Sequence, residues 1–118
     1  VMAELACNPE QVDQMEESGS RPTAAMVTAL EGLIDDVSSR FDPPTEFVVP
    51  GQDEVSARID VARTVCRRAE RSALSVAGEG SSVVPYLNRL SDLLWTLARW
   101  QESGGQDGGS LATRSLSD

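Results

Sequence analysis

Arg63, Arg67, Arg68, Glu70 and Arg71 put five ionised side chains into nine residues of the stretch ARTVCRRAER. Four arginines against one glutamate give a local charge of +3 in a chain whose total is −9. Like charges at i and i+4 repel and weaken a helix, so Arg63, Arg67 and Arg71 need a compensating partner. A polyanion suits them: a guanidinium fork makes paired, charge-assisted hydrogen bonds to phosphate. Arg67 and Arg68 are consecutive and point about 100° apart, so they can hold two sides of a phosphate chain. Glu70 sits where it can orient Arg67 or Arg71. The alternative is a solvated face of helical ion pairs, each worth a few tenths of a kcal/mol.

A second group follows in YLNRLSD. Asn88, Arg89 and Asp92 place an amide, a guanidinium and a carboxylate within two turns, fit to read a ribose or base, or to pair with the preceding helix. Phe47 lies between prolines in FDPPTEFVVPG, either as a plug for a helical bundle or as an aromatic wall for a flat ligand. Cys66 lies among small residues and reads as core, because no His is present to activate it. Trp95 and Trp100 read as packing or interface residues.

What the chain lacks narrows the chemistry. All ten basic residues are Arg, so no Lys can form a Schiff base or a phosphate-loop contact. Without His, the usual proton shuttle and the commonest metal ligand are gone, and no metal site is expected. An acidic total argues against general binding of nucleic acid. Cys7 and Cys66 lie too far apart for a CxxC unit and fit a reduced, cytoplasmic compartment. No apolar run approaches the ~18–20 residues of a membrane span.

Helices must position these groups. A chain of 118 residues makes one domain, and residues 1–102 are assigned to it. Val1–Cys7 reads as the last two turns of a helix, and its start without Met suggests a fragment or a processed product. Asn8–Ser20 reads as a loop. A helix is predicted from about Pro22 to Arg40, with Pro22 at its first position after Ser20 or Arg21 and an apolar stripe of Met26, Leu30, Leu33 and Val37. Phe41–Gly51 must be extended or turned. Asp53 caps a helix to about Val76, whose seam is Val55, Ile59, Ala62, Cys66, Ala69 and Ala73. The turn AGEGSS precedes a helix from about Val83 to Gln101 with an apolar face of Val83, Leu87, Leu90, Leu94 and Leu97. Residues 103–118 read as a disordered tail. The fold class is all-α, an antiparallel helical bundle. Its apolar area is small for three helices alone, so association with further helices is expected.

Taken in order, FVVPG, ARTVCRRAER and YLNRLSDLLWTLAR resemble the ATP:cob(I)alamin adenosyltransferases of the trimeric, propanediol-utilisation type. The resemblance covers about Thr23 to Trp100. It implies part of a five-helix, ferritin-like up-down bundle, a homotrimer, and ATP at each subunit interface beside cobalamin. It implies transfer of the 5′-deoxyadenosyl group from ATP, with Mg²⁺, to cob(I)alamin, and release of tripolyphosphate. Arg67, Arg68, Ala69, Glu70, Arg71 and Asn88 then fall at nucleotide contacts. Arg63 falls at an intersubunit ion pair, and Phe47 below the corrin ring. Arg67, Arg63 and Phe47 are the residues expected to carry catalysis. A cobalamin-dependent mutase or dehydratase is the implied downstream partner. The family's Thr- and Gly-rich segment, TxxGDxG, has no counterpart in these 118 residues. Gln52 follows Gly51 where a second Gly is usual, and Asp60 stands where His is common. The alternative is a truncated, non-catalytic member that binds nucleotide or cobalamin, or a structural helical oligomer.

Overall fold

The computed structural model describes residues 1–104 and the backbone of residues 109–110. The remaining residues of the expected tail lie outside the described residues. Among the described residues there are five α-helices: α1 (Met2–Ala6), α2 (Val12–Glu17), α3 (Ala24–Ser38), α4 (Glu54–Ala73) and α5 (Val83–Glu102). A two-residue strand β1 (Phe41–Asp42) pairs in parallel with β2 (Gly109–Ser110). The all-α reading stands.

Capping chemistry fixes where the long helices begin. Asp53 accepts a hydrogen bond from the Ser56 backbone N–H at 2.7 Å, and the Asp53 N–H donates back to Ser56 Oγ at 3.3 Å. This reciprocal capping box satisfies two donors that the first turn would otherwise orphan. α3 is capped by Thr23, whose Oγ1 accepts from the Met26 N–H at 3.2 Å. Pro22 therefore precedes the cap, and the expected start at Pro22 is corrected: the Thr23 hydroxyl, three residues before the Met26 amide it accepts from, outcompetes a fixed proline φ. The segment Asn8–Ser20, expected as a loop, holds a 3-10 turn (Pro9–Gln11) and α2.

α5 is the central helix, packed between α3 and α4. Its buried positions include Ser91, Thr96 and Ala98 as well as Val83, Leu87 and Leu93. Small side chains let neighbouring backbones approach. Ser91 Oγ donates to Asn88 O and Thr96 Oγ1 to Asp92 O, both at 2.8 Å, so neither hydroxyl is left unpaired. One apolar cluster joins Cys66 and Ala73 of α4 to Val83 and Leu87 of α5, with Val1 and Leu5 packed against it. A second, towards the other end of α5, joins Val37 and Phe41 to Val48, Leu97 and Trp100.

Two expected stripes are rotated in the structure. On α3, Leu30 and Val37 are buried, but Met26 and Leu33 are exposed. On α4, Cys66 and Ala73 are buried, whereas Val55, Ala62 and Ala69 face outward and the inner positions nearer its start are Ser56 and Asp60. Hydrophobicity alone misreads this face, because a polar cluster occupies part of the α4–α5 contact.

Candidate functional site

The arginine-rich segment occupies α4 from its middle to its last turns. Arg67, Arg68, Ala69 and Arg71 are exposed, and none of these three arginines makes a hydrogen bond or ion pair among the described residues. Glu70 is half-buried and accepts from Asn88 Nδ2 of α5 at 3.0 Å. The Asn88 side-chain Oδ1 in turn accepts from Arg89 Nη2 at 2.5 Å, and Arg89 pairs with Asp92 at 2.6 Å. Glu70 therefore directs a carboxylate oxygen to α5 and forms no ion pair with its neighbouring guanidinium groups among the described residues.

Glu70 and Asn88 share a shallow groove of about 320 Å³ with Arg89, Val84, Val27 and Glu31. Cys66 lies one turn below, its thiol donating to the Leu87 carbonyl at 3.3 Å. Burial first, and the Glu70 carboxylate second, push that thiol above its ordinary 9.0, with Arg67 opposing. A protonated, buried thiol is no nucleophile, in keeping with its reading as core.

Arg63, unlike Arg67, Arg68 and Arg71, has an acid partner. It is half-buried, and its Nε stands 3.3 Å from Asp60 Oδ1 of its own helix. Phe47 is fully exposed in the segment between β1 and α4, while Val48 beside it packs inward against Leu97 and Trp100. Phe47 is therefore not a plug for the bundle. The structure brings Glu70 and Asn88 together, sets Arg67, Arg68 and Arg71 on adjoining exposed turns, and leaves Phe47 exposed in the segment that leads to α4. From the Asp53 cap to Arg67 the helix rises about 21 Å.

A polar cluster beneath Arg63 went unread in the sequence. Asp60 Oδ2 accepts from Arg99 Nη2 of α5 at 2.5 Å, and Arg99 Nε stands 2.6 Å from Glu102 Oε1. The Arg99 side chain is only 2% exposed and lies over the Trp95 ring. The available signal was a lone Arg inside the apolar run LLWTLARW, since arginine is almost never buried unpaired. A similar contact joins Glu4 of α1 to Arg21 at 2.7 Å and to Ser81 of the α4–α5 turn.

The unit is helical and presents exposed guanidinium groups beside a carboxylate–amide pair. The comparisons make it specific. The cobalamin adenosyltransferase family profile matches residues 1–101, and the chain belongs to that family. It is 38% identical over 104 residues to the corrinoid adenosyltransferase PduO of Salmonella typhimurium, covering 86% of this chain and 30% of that protein. It is 46% identical over 84 residues to a corrinoid adenosyltransferase of Mycobacterium tuberculosis, covering 67% of this chain and 44% of that protein. With the human corrinoid adenosyltransferase MMAB it shares 38% over 89 residues, covering 71% of this chain and 36% of that protein. The chain thus spans 30–44% of the length of these three relatives. No helix among the described residues is long and apolar enough to cross a membrane.

Proposed function

We propose that the chain carries the anion-holding part of a corrinoid adenosyltransferase, in which ATP gives its 5′-deoxyadenosyl group to cob(I)alamin and tripolyphosphate leaves. The observation that carries this is the run Arg67, Arg68, Arg71: three exposed guanidinium groups without an acid partner, on the helix whose Glu70 is already committed to Asn88. Cobalt supplies the nucleophile at C5′ and the C5′–O bond breaks towards the triphosphate. The protein's share is to receive the charge that develops on the leaving oxygens and to hold two reactants in line. That task suits a chain with neither Lys nor His.

In this reading Arg67, Arg68 and Arg71 face the phosphates, and Glu70 with Asn88 orders the nucleotide-facing groove. Phe47, fully exposed, offers a ring to the corrin. Arg63 is held by Asp60 within the chain; in a homotrimer it would turn to an acid of the neighbouring subunit. The described residues offer no group of three acidic, Cys or His side chains able to hold a metal. Mg²⁺ would enter with the nucleotide. The free thiols Cys7 and Cys66 suit a reducing cytoplasm, and the adenosylated product suits a cobalamin-dependent mutase or dehydratase as consumer.

The test is adenosylation with chemically reduced cobalamin, together with calorimetric titration of ATP. Turnover by the intact protein and a loss of ATP affinity in Arg67→Ala at unchanged helicity are expected. Unchanged affinity in that variant would remove the arginine turn from the site.

A further inference from the structure

Asp60 is a buried acid with an arginine at each oxygen. Its Oδ2 accepts from Arg99 Nη2 of α5 at 2.5 Å, and its Oδ1 accepts from Arg63 Nε, one turn on along α4, at 3.3 Å. The two arginines sit in different settings. The Arg99 side chain is sealed, whereas that of Arg63 is 26% exposed. Asp60 thus joins a guanidinium locked in the α4–α5 contact to one that reaches the surface.

An ordinary ion pair one turn apart on a helix is loose, because both side chains can swing into solvent. Arg58 and Glu54 show that case on the same helix. Both are exposed, and a single Glu54 oxygen accepts from Nε and Nη2 of Arg58 together. Asp60 cannot swing in this way. Burial and the Arg99 bond fix its carboxylate, so Oδ1 meets Arg63 at a set place. Asp60 also takes less of its arginine: only Nε donates to it, and the two Nη groups of Arg63 make no hydrogen bond among the described residues. The Arg63 side chain lines a depression of about 310 Å³ with Pro50, Ala57, Val61 and Thr64. A guanidinium gripped at Nε keeps the fork of its two Nη groups for a second anion.

We propose that Asp60, braced by Arg99, is a positioning residue for Arg63, holding the guanidinium by Nε so that its Nη fork is already set for an outside carboxylate. This deepens the reading of Arg63 given above and rests on it: Arg63 can turn its fork to an acid of a neighbouring subunit without releasing Asp60. Asp60 and Arg99 themselves touch no reactant. Whatever they contribute to the transfer reaction passes through Arg63.

Exchange of the Arg63 Nε–H with water, followed by NMR in the intact protein, tests the hold without any substrate. In Asp60→Ala that proton is expected to exchange about tenfold faster or more, as befits a lost hydrogen bond to a charged group. Asp60→Asn leaves an acceptor oxygen without the charge, disturbs the α4–α5 contact less, and should fall between. Arg58→Ala, in the exposed pair, should leave Arg63 unchanged. An Arg63 exchange rate that stays the same in Asp60→Asn and in any folded Asp60→Ala would overturn the hold. So would an equal rise in Arg58→Ala, which would mean a general loosening of α4.

Kinetics test the role. Asp60→Asn should lower kcat for adenosylation about tenfold with the ATP KM unmoved, the scale expected when a reacting constellation is slightly misplaced. Arg63→Met should lower kcat at least as far. Asp60→Asn added to Arg63→Met should then lower it no further, because nothing remains for Asp60 to hold. Losses that multiply in the double variant, or an unchanged kcat in Asp60→Asn, would overturn the positioning role. An unchanged kcat in Arg63→Met would instead defeat the reading of Arg63 and the role built on it, while the exchange rates would still decide the hold.

Discussion

Arg99 and Arg67 lie on facing helices with the same side chain and opposite circumstances. Arg99 is sealed between Asp60 and Glu102 over the face of Trp95. Arg67 stands in water beside Arg68 and Arg71 with no acid taking its charge. A guanidinium buried between two carboxylates holds structure together and is closed to a ligand. An exposed, unsatisfied one adds little to stability and keeps its full donor fork for a phosphate. The difference separates the part of the molecule that must not move from the part that must bind.

Breaking the buried partner should produce the largest effect. Arg99→Ala strands two carboxylates in the interior and should cost about 3–5 kcal/mol, read as a lowered midpoint in urea. An unchanged midpoint would mean the cluster is wet. Arg67→Ala probes the other side of the contrast: ATP affinity should fall about tenfold or more, with the urea midpoint unmoved. A matching loss of stability would place Arg67 with Arg99 and erase the distinction.

Smaller effects sharpen it. Asp53→Ala removes the capping box that starts α4 and should cost about 1 kcal/mol, enough to loosen the entry to the arginine helix without emptying it. Acid titration separates the regions again. Burial raises the Glu102 carboxyl above its ordinary 4.5, against the opposing pull of Arg99. Its contribution to stability is fully present below pH 4.5 and is lost as pH rises through the raised value. Glu102→Gln should flatten that slope in a pH series of melts; a slope that survives belongs to another group. Least of all, Phe47→Ala should leave both stability and ATP binding alone and slow only adenosylation. A normal rate would remove the ring from the site.

Much of this was legible in the chain, for local reasons. Asp53 before an amphipathic run and the proline-bracketed FDPPTEFVVPG both mark boundaries through backbone chemistry that depends on neighbours alone. Arg67, Arg68 and Arg71 were legible as a cluster because charge density survives any fold. The rotation of α3 and α4 was not, since the buried positions depend on which face α5 offers, and α5 offers Ser91, Thr96 and Arg99 along with leucine. The Asp60–Arg99–Glu102 cluster was hidden for a related reason: Asp60 and Arg99 are 39 residues apart, and nothing local links them. The pairing of Glu70 with Asn88, across 18 residues, needed the helices in place.

Cys66 gives the molecule an internal gauge. Its sulfur sits under α5, bonded to the Leu87 carbonyl and held in the thiol form, whereas Cys7 is half-open to solvent. An alkylating reagent should therefore mark Cys7 promptly and reach Cys66 only during the moments when α4 parts from α5. The ratio of the two labelling rates would report how often the scaffold behind the arginines breathes, with no probe added.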